Sequence, residues 1–268
     1  MRVAEIRIYP VKGLRGHSVR EAVVEPWGLA DDRRFMVVDE VGRFLTQRQL
    51  PRMAVIESEL VDGGVELSAP GAGGIAVAVP NAAEQAVSVS IWRDESVSAR
   101  DAGPEAAAWL SAVLGRPCRL VHMAEPRTAR SVDPAFATEE DRVSFADGFP
   151  LLVTNQASLA DLNARLPSPV AMDRFRTNVA VANAVPWEED GWVDLRIGTV
   201  HFAGVKDCAR CAVTTVDQNT GERSADSEPL RTLAGFRRKA GGRIIFGQNL
   251  IPRGLGRISV GDEVVVSA

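Results

Sequence analysis

In the N-terminal part of the chain, apolar positions alternate with charged or polar ones over short stretches. Glycine- and proline-rich turns break the runs. Arg2 to Tyr9 is the clearest case: Val3, Ile6 and Ile8 interleave with Arg2, Glu5 and Arg7, the mark of a half-buried strand. Strands are expected again at Arg20 to Val24 and Arg34 to Val38. After the turn Asp39-Glu40-Val41-Gly42, another is expected at Arg43 to Thr46. Val55 to Leu60, Val65 to Leu67, Ile75 to Val79, Val87 to Ile91 and Val97 to Arg100 follow, with Asp62-Gly63-Gly64, Pro70 to Gly74 and Pro80-Asn81 between them. Many short strands at this spacing imply a small barrel or sandwich. The period then lengthens. Gly103 to Gly115 predicts a helix with Pro104 and Glu105 in its first turn and Gly115 past its end, and places Trp109, Ala112 and Val113 on its inward face.

Cys118 to Met123 returns to strand. Glu125 to Glu140, polar and interrupted by Pro126 and Pro134, predicts a linker or mobile loop. Leu151-Leu152-Val153 reads as a buried strand entering a helix capped by Thr154 or Asn155. The remainder is mostly β, at Asn178 to Val181, Val193 to Ile197, Val200 to Phe202, Ala212 to Val216, Ile244 to Leu250 and Glu263 to Val266. An amphipathic helix is expected at Pro229 to Lys239, with its cations in the last turn, where the helix dipole favours them. The fold class is therefore mainly β with peripheral helices.

Composition narrows the reading. With 268 residues, 46% hydrophobic and 25% charged, the chain can bury a core as one large or two medium domains. A net charge of -4 argues against a nucleic-acid partner. Within it, Arg33-Arg34, Arg174 with Arg176, and Arg237-Arg238-Lys239 form small basic islands that composition alone explains as solvated surface. No apolar run approaches the roughly 18 residues of a membrane span. Charges at Arg2, Glu5 and Arg7 stand where a signal peptide needs an apolar run, so the expected location is cytoplasmic. Three cysteines, Cys118, Cys208 and Cys211, do not make a disulfide framework, and a reducing compartment leaves them as thiols. Cys118 sits in an apolar strand and reads as core.

Common catalytic signatures are absent: no His-Glu-x-x-His, no phosphate-binding Gly-x-x-x-x-Gly-Lys-Ser/Thr and no Gly-x-Ser-x-Gly. His17, His122 and His201 are scattered, and Gly254-x-Gly256 reads as a turn. One segment stands apart, Cys208-Ala209-Arg210-Cys211-Ala212-Val213-Thr214-Thr215-Val216-Asp217-Gln218-Asn219-Thr220-Gly221. Its two thiols lie beside Lys206 and Arg210, a cationic neighbourhood that favours thiolate. A zinc site lacks four ligands. A redox pair lacks the expected strand-to-helix setting, because Cys211 leads into a predicted strand. Two buried structural cysteines remain open as a reading. Asp217 to Gly221 reads as a tight turn that pins the strand end, with Asp217 a lesser candidate for proton relay.

That segment, as Cys208-x-Arg210-Cys211-x-x-Thr214-Thr215-Val216-Asp217-x-x-Thr220-Gly221, resembles the signature of the MOSC family, in the branch of the mitochondrial amidoxime-reducing component and its bacterial relatives. The resemblance runs through most of the chain in order: Tyr9-Pro10-Val11-Lys12, Asp32 to Val38, Thr46-Gln47-Arg48, Ser158 to Asn163, Arg174 to Asn178, Phe246 to Asn249 and Val260-Gly261-Asp262. Two departures stand out. Gly13 follows Lys12 where a relative can carry Ser, and Gln218 stands where Pro is common, which should loosen the turn.

The resemblance implies an N-terminal β-barrel region, residues 1–122, followed by a MOSC β-barrel domain, residues 123–268, with about 40 N-terminal residues contributing to a cofactor site. It implies a molybdenum cofactor, a molybdenum–pyranopterin, ligated by Cys211, and a thiolate is a matching ligand for so soft a centre. Lys12, Gly13, Arg34, Gly148, Phe149, Arg176, Asn178, Ala209 and Arg210 then occupy cofactor-contact positions, the cations suited to the pterin's phosphate. The implied activity is reduction of small N-hydroxylated compounds by oxygen removal at the metal. The alternative is a cofactor carrier or sulfur relay without reductase turnover. The chain carries no four-cysteine set for an iron–sulfur cluster, so electrons are expected from a separate donor protein. No nucleic-acid or membrane partner is expected.

Overall fold

A computed structural model describes residues 1–81 and 83–267. Its centre is an eight-stranded sheet in the order Val264–Val266, Asp194–Ile197, Val200–Ala209, Ile245–Pro252, Leu151–Asn155, Val179–Ala182, Arg2–Ile8 and His17–Val19. A five-stranded sheet runs Ala86–Ile91, Asp94–Asp101, Arg119–His122, Phe35–Val38 and Val11–Lys12. Two three-stranded sheets complete the molecule, one of Glu57–Val61, Gly64–Ala69 and Gly73–Ala78, the other of Gly256–Ser259, Glu21–Glu25 and Gly28–Leu29. The mainly β class with peripheral helices is what the structure has.

Strand pairing crosses the 122/123 division. Arg2–Ile8 pairs with Val179–Ala182, and Glu21–Glu25 pairs with Gly256–Ser259, so the N-terminal residues are built into the C-terminal sheets. The cause lies in the first strand. Val3 and Ile6 both point into the core although they are three apart, because the register shifts between Val3 and Glu5. Their partners there include Trp192, Leu195, Phe202 and Leu250. A second core, of Leu14, Phe35, Leu45, Met53, Leu110 and Cys118 among others, lies under the helix Pro104–Leu114.

Some expected elements differ. Arg43 to Thr46 forms isolated bridges, Phe44 to Val38 and Arg43 to Ser90, and no strand. The segment expected as a linker contains the short helix Pro126–Ala129 and is pinned. The buried Arg130 pairs with Asp94 at 2.8 Å and donates to the carbonyls of Ser144, Ala146 and Asp147. The cations at 237–239 lie beyond the helix Leu230–Phe236 rather than in its last turn, with Arg237 bonded to Asp190 and Lys239 to Asp207. The cap is as read: Asn155 accepts from the Ala157 N–H at 2.9 Å. No helix among the described residues is long and apolar enough to cross a membrane.

Candidate functional site

A cavity opens between the five-stranded and eight-stranded sheets, and its wall comes from eight separated stretches of chain. The strand Val200–Ala209 reaches it by bending. Its pairing with Ile245–Pro252 shifts register between Gly204 and Lys206 and again between Asp207 and Ala209. Gly204 is required at the first bend, since a Cβ there would lie 1.7 Å from the Trp192 carbonyl oxygen. These bulges turn the strand end so that Cys208, Ala209, Arg210 and Cys211 face the cavity. Cys211 then caps the 3-10 turn Ala212–Thr215, a segment that reads as strand in the sequence. The hydroxyls of Thr214 and Thr215 donate to the carbonyls of Cys211 and Ala212, which draws the backbone into a turn.

The next wall element is the Asp217 turn. Asp217 Oδ1 accepts from the N–H groups of Asn219 and Thr220, and Oδ2 accepts from Arg174 at 2.7 Å. The turn takes one carboxylate oxygen and Arg174 the other, and Asp217 does not line the cavity. Gln218 ties the turn in rather than loosening it. It is buried, and it exchanges amide hydrogen bonds with Gln47 at 3.0 and 3.2 Å, while Gln47 also donates to the Gly13 carbonyl. Gly13 itself has φ +84°, and a Cβ there would meet Met53 Cε at 2.9 Å, so backbone geometry favours glycine at this position.

Arg33, Arg176 and Arg210 form the cationic floor. Arg33 donates to Asp32 at 2.5 Å, to Asn178 Oδ1 at 2.9 Å and to the Arg176 carbonyl at 3.1 Å. Arg176 donates to the Leu14 carbonyl at 2.7 Å, and Arg210 donates to the Phe175 carbonyl and to Cys208 Sγ. Burial pulls the Arg176 guanidinium down to about 10, against the opposing pull of Tyr9 and with Arg33 adding to it, so Arg176 stays cationic at neutral pH. Tyr9, buried among these cations, is pushed up to about 12 by desolvation. Arg176 Nη2 and Arg210 Nε are buried without a hydrogen-bond partner among the described residues, so this part of the wall holds unsatisfied donors.

Lys12 and Asp147 meet across the cavity in a close ion pair. Burial brings Lys12 down to about 8 even though Asp147 opposes the shift. Burial alone would raise Asp147, but Lys12, the Trp92 indole N–H and Arg33 outweigh it and hold the carboxyl well below the usual carboxylate range. The carboxylate is enclosed by the cavity walls yet reachable from the cavity itself, and its side chain is 72% exposed there. Five cations (Lys12, Arg33, Arg48, Arg176 and Arg210) and this one carboxylate line the cavity among the described residues.

Of the residues singled out in the sequence, Lys12, Gly13, Gly148, Phe149, Arg176, Asn178, Ala209, Arg210 and Cys211 all line this cavity. Arg34 does not. Its guanidinium turns away and donates to the carbonyls of Met123 and Ala124, while its neighbour Arg33, at φ +50°, faces the cavity. Of the two neighbours, Arg33 and not Arg34 lines the cavity. Cys208 lines the wall, whereas Cys118 lies in the second core bonded to Ser111, so the three thiols do not converge. No group of three or more His, Cys, Asp or Glu suited to a metal occurs among the described residues. Sequence reasoning missed Asp147 and Trp92. Asp147 sits in an otherwise apolar run, Phe145-Ala146-Asp147-Gly148-Phe149, and an isolated carboxylate there was a usable signal.

Comparison with known proteins agrees along the chain. Residues 1–117 match the family described as the MOSC N-terminal beta barrel domain, and residues 140–265 match the MOSC domain. The chain is 36% identical to mitochondrial amidoxime-reducing component 1 of Mus musculus, covering 98% of this chain and 81% of that protein. The human protein of the same name is 34% identical over 98% and 82%. Mitochondrial amidoxime reducing component 2 of Bos taurus is 33% identical over 88% of this chain and 72% of its own length.

Proposed function

The chain belongs to the MOSC family, beside the amidoxime-reducing components, and from that premise we propose that it is a molybdenum-cofactor-dependent reductase of N-hydroxylated compounds. The observation that carries the reading is the cavity wall, where Cys211 opens among five cations, two of which keep buried donors without partners. A thiol beside clustered guanidiniums suits a soft metal carried on an anionic organic group. The residues present fit the molybdenum–pyranopterin.

In this reading Cys211 is the metal ligand, held at the end of a bent strand and fixed by the turn that follows. Arg33, Arg176 and Arg210 hold the phosphate, each oriented by backbone carbonyls before any ligand arrives, so little ordering cost remains on binding. Asn178 and the backbone at Gly148, Phe149 and Ala209 complete the contacts. The bound cofactor would supply a two-electron centre for cleaving an N–O bond, with electrons from a separate donor protein. Lys12 is the chain's own proton holder at the site. Its value of about 8 lies near neutral pH, where a group can both keep and give up a proton, and Asp147 fixes its position.

The test is turnover. Protein made in a host that produces the cofactor, reduced by a chemical dye, should convert an amidoxime to its amidine. The Cys211→Ser variant should not. Equal rates in both would refute the assignment of Cys211. Full cofactor loading without turnover by the unmodified protein would favour a carrier.

A further inference from the structure

The outer lip of the cavity is built unlike its floor. Trp92 stands at the tip of the hairpin between Ala86–Ile91 and Asp94–Asp101, with φ at +53°, a region bulky side chains rarely occupy. Its ring does not withdraw into the core, and the residue is 43% exposed. One hydrogen bond and a ring contact fix its orientation instead. Indole Nε1 donates to Asp147 Oδ1 at 3.1 Å, and the ring meets Phe44 at 4.8 Å between centroids, tilted by 57°. Beyond Trp92 a second groove continues outward past Phe44 and Ser90, sharing Thr46, Arg48 and Trp92 with the cavity.

Two features show what this lip accepts. Arg48, exposed and without an ion pair among the described residues, rests its guanidinium 4.4 Å from the Trp92 ring centroid. A guanidinium is a flat N–C–N group, the same frame an amidine or amidoxime carries. Asp147 offers the second feature. Its Oδ1 takes both Lys12 and Trp92, while Oδ2 has no hydrogen bond among the described residues and belongs to the only carboxylate in the wall.

We propose that Trp92 and Asp147 select the substrate: a flat aromatic amidoxime lays its ring on the Trp92 indole in place of Arg48, and the free oxygen of Asp147 accepts an N–H from its amino group. This rests on the reductase reading and adds to it which side chains discriminate. Stacking on a rigid indole rewards a planar ring, and a carboxylate rewards an amidine-like donor. A compound too small to reach the lip gains neither. The indole would hold the substrate and not the cofactor, whose anionic part belongs to the arginine floor.

The experiment compares unmodified protein, Trp92→Ala and Trp92→Phe, all cofactor-loaded. It measures kcat and KM for benzamidoxime and for hydroxylamine, with molybdenum and pterin content per chain. Trp92→Ala should lower the benzamidoxime-to-hydroxylamine ratio of kcat/KM by about tenfold, mostly through KM, with molybdenum and pterin unchanged. Trp92→Phe, which keeps a ring but loses the N–H, should recover most of the ratio. An unchanged ratio, or pterin loss in Trp92→Ala, overturns this proposal while leaving the reductase reading in place. Loaded unmodified protein that reduces neither compound overturns both.

Discussion

At the floor of the cavity the Arg33 and Arg176 guanidiniums lie 4.5 and 4.4 Å from the Tyr9 ring centroid, and at its lip the Arg48 guanidinium lies 4.4 Å from that of Trp92. The distances match, but the settings do not. Tyr9 is 2% exposed and bonded to the Thr177 carbonyl, and both floor arginines are fixed by carbonyls or by Asp32. Trp92 is 43% exposed, and the guanidinium of its arginine has no such ties among the described residues. A cation–ring contact is worth about 2 kcal/mol or more when desolvated and about 0.5–1 at an exposed site. In the proposed reading the floor is therefore the rigid receptor for a permanent anionic group, and the lip the exchangeable surface for molecules that come and go.

The contrast can be broken at the floor. Tyr9→Ala removes a buried ring between two cations and should cost about 3–5 kcal/mol, seen as a fall in Tm of roughly 6–20 °C. A loss under about 1 kcal/mol would mean the floor is not a packed unit. Next in size, Arg33→Gln and Arg176→Gln should weaken cofactor retention by about tenfold to a hundredfold, as expected for one charge-assisted contact. Arg34→Gln should stay within about twofold. Metal content after dialysis distinguishes the two neighbours, and equal losses at 33 and 34 would erase the floor as drawn.

A pH series sharpens the comparison further. Lys12, at about 8, is cationic below that value and neutral above it. Sulfate binding to cofactor-free protein should therefore weaken by up to about tenfold between pH 7 and 9, and Lys12→Arg should level the curve. Stability moves the other way. Because the folded value lies below the ordinary 10.5, the unfolded chain holds this proton more tightly, and the Lys12 contribution to stability rises from pH 8 to 10.5. Binding that falls while this contribution does not marks a charge effect rather than unfolding. The smallest effect belongs to the lip: Arg48→Ala should leave cofactor content unchanged and shift KM for an aromatic substrate by about twofold to fivefold.

Much of this was legible in the chain. Alternation in Arg2 to Tyr9, the Gly103 to Gly115 punctuation and the Asn155 cap each carried a local signal that tertiary packing did not override. Other features depended on contacts no window contains. Ala212 to Val216 has the β-branched composition of a strand, yet Thr214 and Thr215 turn their hydroxyls back onto the preceding carbonyls. Arg33 and Arg34 are indistinguishable by type, and only the left-handed backbone at Arg33 decides which one faces the cavity. Gln218 gains its role from Gln47, far away in sequence. Trp92 was hidden because an aromatic at a hairpin tip looks like an ordinary strand residue until Asp147 is brought beside it.

The central claim is that Cys211 and the arginine floor hold a molybdenum cofactor. Molybdenum by mass spectrometry and pterin by fluorescence, per chain, on the unmodified protein and on Cys211→Ser, test it most directly. The account predicts near-stoichiometric molybdenum and pterin in the first and a loss of molybdenum in the second, with the fold kept. Zinc or no metal, with pterin absent from protein made in a cofactor-producing host, would contradict it.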